Sequence, residues 1–127
     1  HMGATAVRTE VISPRVNFTR FDAQRKEIPA SPWGLNGSAS INGKTVTLTA
    51  VNPDAKNFRE SEINVGGARI VSANARVLSS TDIRARNSFE NPNGLVPRNE
   101  NVTVASGGRL VYKFAPASVT RLSLTIA

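Results

Sequence analysis

Hydrophobic and polar residues alternate along most of this chain with a period of two. Val46, Leu48 and Ala50 are interleaved with Thr45, Thr47 and Thr49, and Ile63 and Val65 bracket Asn64. Leu110, Tyr112 and Phe114 alternate with Arg109, Val111 and Lys113. Near the end, Leu122, Leu124 and Ile126 share one face while Arg121, Ser123 and Thr125 share the other. Successive side chains of an extended strand point to opposite faces, so this pattern predicts strands with one buried and one wet face, as antiparallel sheets allow. No stretch keeps the 3.6-residue repeat of an amphipathic helix over three turns.

Turn signals separate these runs. Asn42-Gly43 stands between two alternating segments and predicts a tight hairpin whose two central residues both have positive φ. Gly66-Gly67 and Gly107-Gly108 punctuate two further pairs, and Asn52-Pro53-Asp54 closes the Thr-rich run. The expected fold is all-β: an antiparallel sandwich of two sheets with eight or nine short strands, in a single domain over residues 4–127. Asp22–Asn36, with Pro29, Pro32 and Gly34, reads as a long connection between the sheets, and Asn87–Pro97 as a second irregular stretch. There is no internal repeat, low-complexity tract or linker, and the pattern runs as a strand to the last residues. That ending is expected of a piece taken from the end of a larger protein.

Composition narrows the chemistry. With 127 residues and no Cys, the chain is long enough for one core and has no disulfide framework or thiolate metal site. Residues 1–3 read as a cloning remnant and start; setting them aside removes His1 and Met2, the only histidine and the only methionine. Most enzyme classes then lose their usual acid–base or nucleophilic side chain. The net charge is +7, with Arg supplying 12 of the 16 basic residues, but these are scattered and no basic stripe alternates with aromatics. Nucleic acid is therefore not an expected partner. No apolar run approaches the ~20 residues of a membrane-spanning helix, so no membrane partner is expected either. Basicity without cysteine leans toward a secreted or periplasmic location and fits a cytoplasmic one nearly as well.

Three kinds of site come into question. Glu60 and Glu62, two apart on a strand, share a face at ~6.5–7 Å, a permissive spacing for glycoside hydrolysis, but acids on a wet face are commonplace. Glu90 is better placed to bond amides of its own loop, so no catalytic residue is assigned. Sugar binding asks for an exposed aromatic platform beside amide and guanidinium donors. Tyr112 and Phe114 fall on a core face, Phe18 and Phe21 are expected to pack beneath the first connection, and Phe89 is expected to plug its loop into the sandwich. Trp33, between Pro32 and Gly34, is the platform candidate, with Asn36, Asn57, Phe58 and Arg59 grouped beside it. Asp22, Asp54 and Asp82 sit near strand ends but lack a calcium-loop spacing, so neither metal nor cofactor is expected. Asn17, Asn36 and Asn101 head N-glycosylation triplets, which matter only in a eukaryotic source.

The loop Asn87-Ser88-Phe89-Glu90-Asn91-Pro92-Asn93-Gly94-Leu95-Val96-Pro97 resembles the Asn-Thr-Phe-Glu-x-Pro-x-x-Val-x-Pro stretch in the C-terminal β-sandwich of family 51 glycoside hydrolases, the α-L-arabinofuranosidases. Asn87, Phe89, Glu90, Pro92 and Pro97 carry the match. Ile28-Pro29 with Leu35–Ser40, the strand Lys44–Asn52, Gly67–Leu78 and the turn Pro116-Ala117-Ser118-Val119 are similar to the family's other segments, in the family's order, from Arg8 to Leu124. The Ser31-Pro32-Trp33-Gly34 insertion and Asn57-Phe58-Arg59 depart from it. The resemblance implies a jelly-roll sandwich packed beside a catalytic (β/α)8 barrel that carries both catalytic glutamates. Its partner would be that barrel, in the same parent chain, and its role would be to support the barrel and its plant-polysaccharide cleft. The alternative reading is an autonomous carbohydrate-binding module for arabinoxylan or a related plant cell-wall glycan.

Overall fold

The computed structural model describes residues 2–13, 18–30, 34–82 and 84–127, and its regular structure is entirely β. The strands are β1 (Thr5–Val7), β2 (Phe18–Phe21), β3 (Glu27–Ala30), β4 (Asn36–Asn42), β5 (Thr45–Asn52), β6 (Arg59–Ile63), β7 (Ile70–Ser79), β8 (Arg98–Val102), β9 (Leu110–Phe114) and β10 (Ser118–Ile126). These ten strands exceed the expected eight or nine, partly because Glu27–Ala30 is not connection but a strand, paired antiparallel with β2. Pro29 is tolerated there because a two-stranded ribbon offers an edge position that needs no N–H.

Six strands form one antiparallel sheet in the order β1-β4-β5-β10-β7-β8, and β6 and β9 form a two-stranded ribbon. The alternation seen in the sequence sorts the faces. Val46, Ala50, Ala75, Val77, Leu122 and Leu124 point inward from the large sheet and meet Leu110, Tyr112 and Phe114 of β9 in a single buried cluster. Leu110 and Leu122 are completely buried and Phe114 nearly so. The Tyr112 and Phe114 rings pack edge to face, centroids 4.8 Å apart, a favoured aromatic geometry. Two β layers around one core make the expected antiparallel sandwich.

The β4–β5 hairpin closes one residue later than Asn42-Gly43 predicts. Asn42 pairs with Thr45, so the turn is Gly43-Lys44, and only Gly43 has positive φ (58°). A positive φ at the first central position alone is the habit of a type II′ turn, and it leaves Asn42 in the ladder. Phe21, expected beneath the first connection, is instead exposed; the β2–β3 ribbon pairs with no other strand among the described residues.

Candidate functional site

Strand register places several separated segments at one end of the sandwich. Ser118 pairs with both Asn52 and Ser79, Asn36 pairs with Val51, and Arg59 pairs with Phe114. The start of β4, the β5–β6 turn, the β7–β8 loop and the β9–β10 turn therefore share this end. It holds the expected ligand residues Asn36, Asn57, Phe58 and Arg59 together with the motif residues Asn87, Phe89, Glu90, Pro92 and Pro97. Trp33, and with it the platform of the expected sugar site, lies outside the described residues, as does Asn17.

The β5–β6 turn is locked by two side chains that the sequence showed only as a turn signal. Asn52 is buried, and its amide donates to the carbonyls of Asn57 (3.0 Å), Phe114 (3.2 Å) and Ala115 (2.9 Å) while its oxygen accepts from the Asp54 N–H (3.1 Å). Asp54 accepts from the backbone N–H of Lys56 (2.9 Å) and of Asn57 (3.1 Å), from the Asn57 amide (3.1 Å) and from Arg59 (3.0 Å). These donors, led by the Lys56 amide, hold its carboxyl at about 2, below the ordinary 3.8, because each favours the charged form. Asn57 and Arg59 thus bond Asp54 inside the turn, while the Arg59 Nε is buried with no hydrogen-bond partner among the described residues. Phe58 is exposed, with the Lys113 ammonium 4.8 Å from its ring centre, a cation–π contact. The Asn36 oxygen accepts from its neighbour Gly37 (2.9 Å).

The 87–97 loop is held by polar bonds made at its base. Asn87 donates to the Leu95 carbonyl (3.0 Å) and accepts from the Leu95 N–H (2.6 Å), and Ser88 and Asn91 cap a turn inside it. Two expectations are corrected here. Phe89 does not plug the loop into the sandwich but is fully exposed; Leu95 anchors the loop instead, on the outward face of the large sheet, where it lines a small cavity of about 180 Å3 with Leu78, Ala85, Ala117 and Val119. Glu90 is exposed and makes none of the loop's bonds among the described residues, the amides being served by Asn87 and Ser88. Short side chains close to the backbone reach these groups at lower entropic cost than a glutamate does.

The acids offer no cleft. Glu60 and Glu62 both lie on the open face of β6, and Glu62 is paired with Arg109 (2.9 Å). Asp22 and Asp82, like Asp54, accept amides of their own turns. Among the described residues no group of three or more His, Cys, Asp or Glu is gathered to hold a metal. The larger cavity, about 550 Å3, opens between the layers and is walled mainly by partly buried core residues such as Ala39, Ile41, Leu48, Ile63 and Val65.

This arrangement matches a known module. A family model described as the α-L-arabinofuranosidase C-terminal domain matches residues 1–118. The chain belongs to that family. Among solved structures it resembles the α-L-arabinofuranosidase of Thermotoga maritima in its arabinose complex, with 25% identity and a TM-score of 0.78, covering 94% of this chain and 25% of that one. It also resembles the family 51 α-L-arabinofuranosidase of Thermotoga petrophila, with 26% identity and a TM-score of 0.76 over 93% of this chain and 25% of that one. The family 51 arabinofuranosidase of Xanthomonas axonopodis pv. citri shares the fold, with a TM-score of 0.78 at 18% identity over 96% of this chain and 23% of that one. The chain thus spans about a quarter of the length of the enzymes it resembles. No curated protein sequence matches it.

Proposed function

We propose that this arabinofuranosidase C-terminal domain is a non-catalytic accessory module that packs against a separate catalytic barrel in its parent chain and supports the plant-polysaccharide cleft there. The observation that carries this reading is the end of the sandwich just described. Phe58, Phe89 and Val96 stand exposed there, as do Val51 and Val119 where β5 and β10 meet. Apolar side chains gathered on one region of a surface mark a contact with another protein layer. The polar residues between them, Asn52, Asp54, Asn57 and Arg59, are engaged with one another and stiffen that end instead of binding sugar.

The test is direct. The isolated domain should not hydrolyse a nitrophenyl α-L-arabinofuranoside, and it should migrate unretarded through gels containing neutral arabinoxylan. Turnover that disappears in Glu60→Gln would overturn the non-catalytic reading. Retardation that disappears in Trp33→Ala at an unchanged melting temperature would replace it with the carbohydrate-binding module.

A further inference from the structure

The outward face of the six-stranded sheet is a flat polar field with two arginines at its centre. Register sets it out in rows across the strands. Ser38, Thr49, Arg121, Arg76 and Asn99 form one row, and Ser40, Thr47, Ser123, Asn74 and Asn101 the next. Beyond these, Asn42, Thr45, Thr125 and Ser72 continue the field toward the far end, while Val51 and Val119 close it near the family loop. No Asp or Glu stands in these rows. Arg121 and Arg76 are directly opposed on neighbouring strands, where side chains begin about 4.5–5.5 Å apart and like charges destabilise. The ion pairs among the described residues use Arg59, Arg98 and Arg109, not these two.

We infer that this face binds a carboxylate-bearing polysaccharide, with Arg76 and Arg121 holding one uronate carboxylate between them and the exposed Ser38, Asn74, Asn99 and Asn101 side chains meeting ring hydroxyls. A carboxylate between two guanidinium groups turns their repulsion into charge-assisted, fork-shaped hydrogen bonds. The rest of the field favours a sugar chain over a protein. Short hydroxyl and amide side chains give a protein partner little apolar area to bury, and such burial is what offsets the cost of protein association. A polyhydroxylated chain gains hydrogen bonds from the same groups. With no aromatic residue in the rows, a neutral glycan finds no stacking surface, so the carboxylate is the part that is recognised. This inference does not depend on the barrel-supporting role.

The experiment is affinity electrophoresis of the 127-residue domain in gels containing polygalacturonate, neutral arabinan or duplex DNA, at several salt concentrations. Arg76→Gln/Arg121→Gln is compared with Arg84→Gln/Arg86→Gln, which removes the same charge from an exposed loop. Polygalacturonate should retard the native domain, and the Arg76/Arg121 pair of substitutions should weaken that retardation at least tenfold while the loop pair changes it less than threefold. Both double variants should melt no lower than the native domain, because each only removes exposed positive charge. Equal losses in the two double variants would show general attraction to a basic protein and overturn the inference. So would no retardation, equal retardation by arabinan, or stronger dependence on Arg76 and Arg121 for DNA than for polygalacturonate.

Discussion

Asp54 carries more of the local architecture than a surface turn residue ordinarily does. Its four accepted hydrogen bonds hold the β5–β6 turn in one shape, and they favour its charged form. Its carboxyl titrates at about 2 in the folded protein against an ordinary 3.8, so the stabilisation is complete above the unfolded value and fades as pH falls toward the folded one. Thermal melting between pH 5 and pH 2 should therefore show a drop that is shallower in Asp54→Asn. An equal slope in both proteins would mean that these bonds do not distinguish the charge state. The same scale separates two loop residues that look alike in the sequence. Phe89→Ser should leave the melting temperature within a degree, because the ring touches water on all sides, whereas Leu95→Ala should lower it by several degrees, because Leu95 closes the cavity under the loop. Phe89 matched the family motif and was the obvious anchor by size. What overrode that expectation was backbone geometry: Asn87 bonds both backbone groups of Leu95, and Leu95 lines the cavity with Leu78 and Val119.

At the scale of elements, β10 is the keystone: it pairs with β5 on one side and β7 on the other along most of its length. Its inward face holds Leu122 and Leu124 but also Thr120, whose hydroxyl is buried without a hydrogen-bond partner. Opposite responses are expected from this one face. Leu124→Ala should cost about 2–5 kcal/mol, from lost transfer energy and the cavity left behind. Thr120→Val, nearly the same shape, should gain about 1 kcal/mol by removing an unmet polar group. Chemical denaturation of both variants checks the pair, and a loss in Thr120→Val would show that the hydroxyl is satisfied by water. Alternation in β5, β9 and β10 was legible in the sequence because a strand with one buried face must repeat every two residues. The β2–β3 ribbon was not, because Pro29 is a turn signal as well as an edge-strand residue. The hairpin register slipped for a related reason: Asn-Gly and Gly-Lys are both workable turn pairs at Asn42–Lys44, and only the pairing of β4 with β5 chooses between them.

For the whole molecule, the two layers leave surfaces of different kinds. One end of the sandwich gathers exposed apolar residues from two loops and two strands, the surface that the barrel-supporting role requires. The outward face of the large sheet carries the opposed arginines and the hydroxyl field. Neither surface can be read along the chain: Val51 and Val119 are 68 positions apart, and Arg76 and Arg121 are 45 apart, yet both pairs are opposed across neighbouring strands.

The all-β class, the core faces of the main strands and the family are written in the amino-acid order, because periodicity, turn residues and an ordered set of local motifs are properties of neighbours along the chain. It also placed Asn36, Asn57, Phe58 and Arg59 as one candidate group, and the fold does bring them to one end. What those side chains do there depends on the packing of the strands. Asn57 and Arg59 bond Asp54, Leu95 rather than Phe89 packs the loop against the outward face of the large sheet, and two arginines without an ion pair among the described residues face each other, because hydrogen-bond partners and charge neighbours are set by strands that meet in space rather than in sequence.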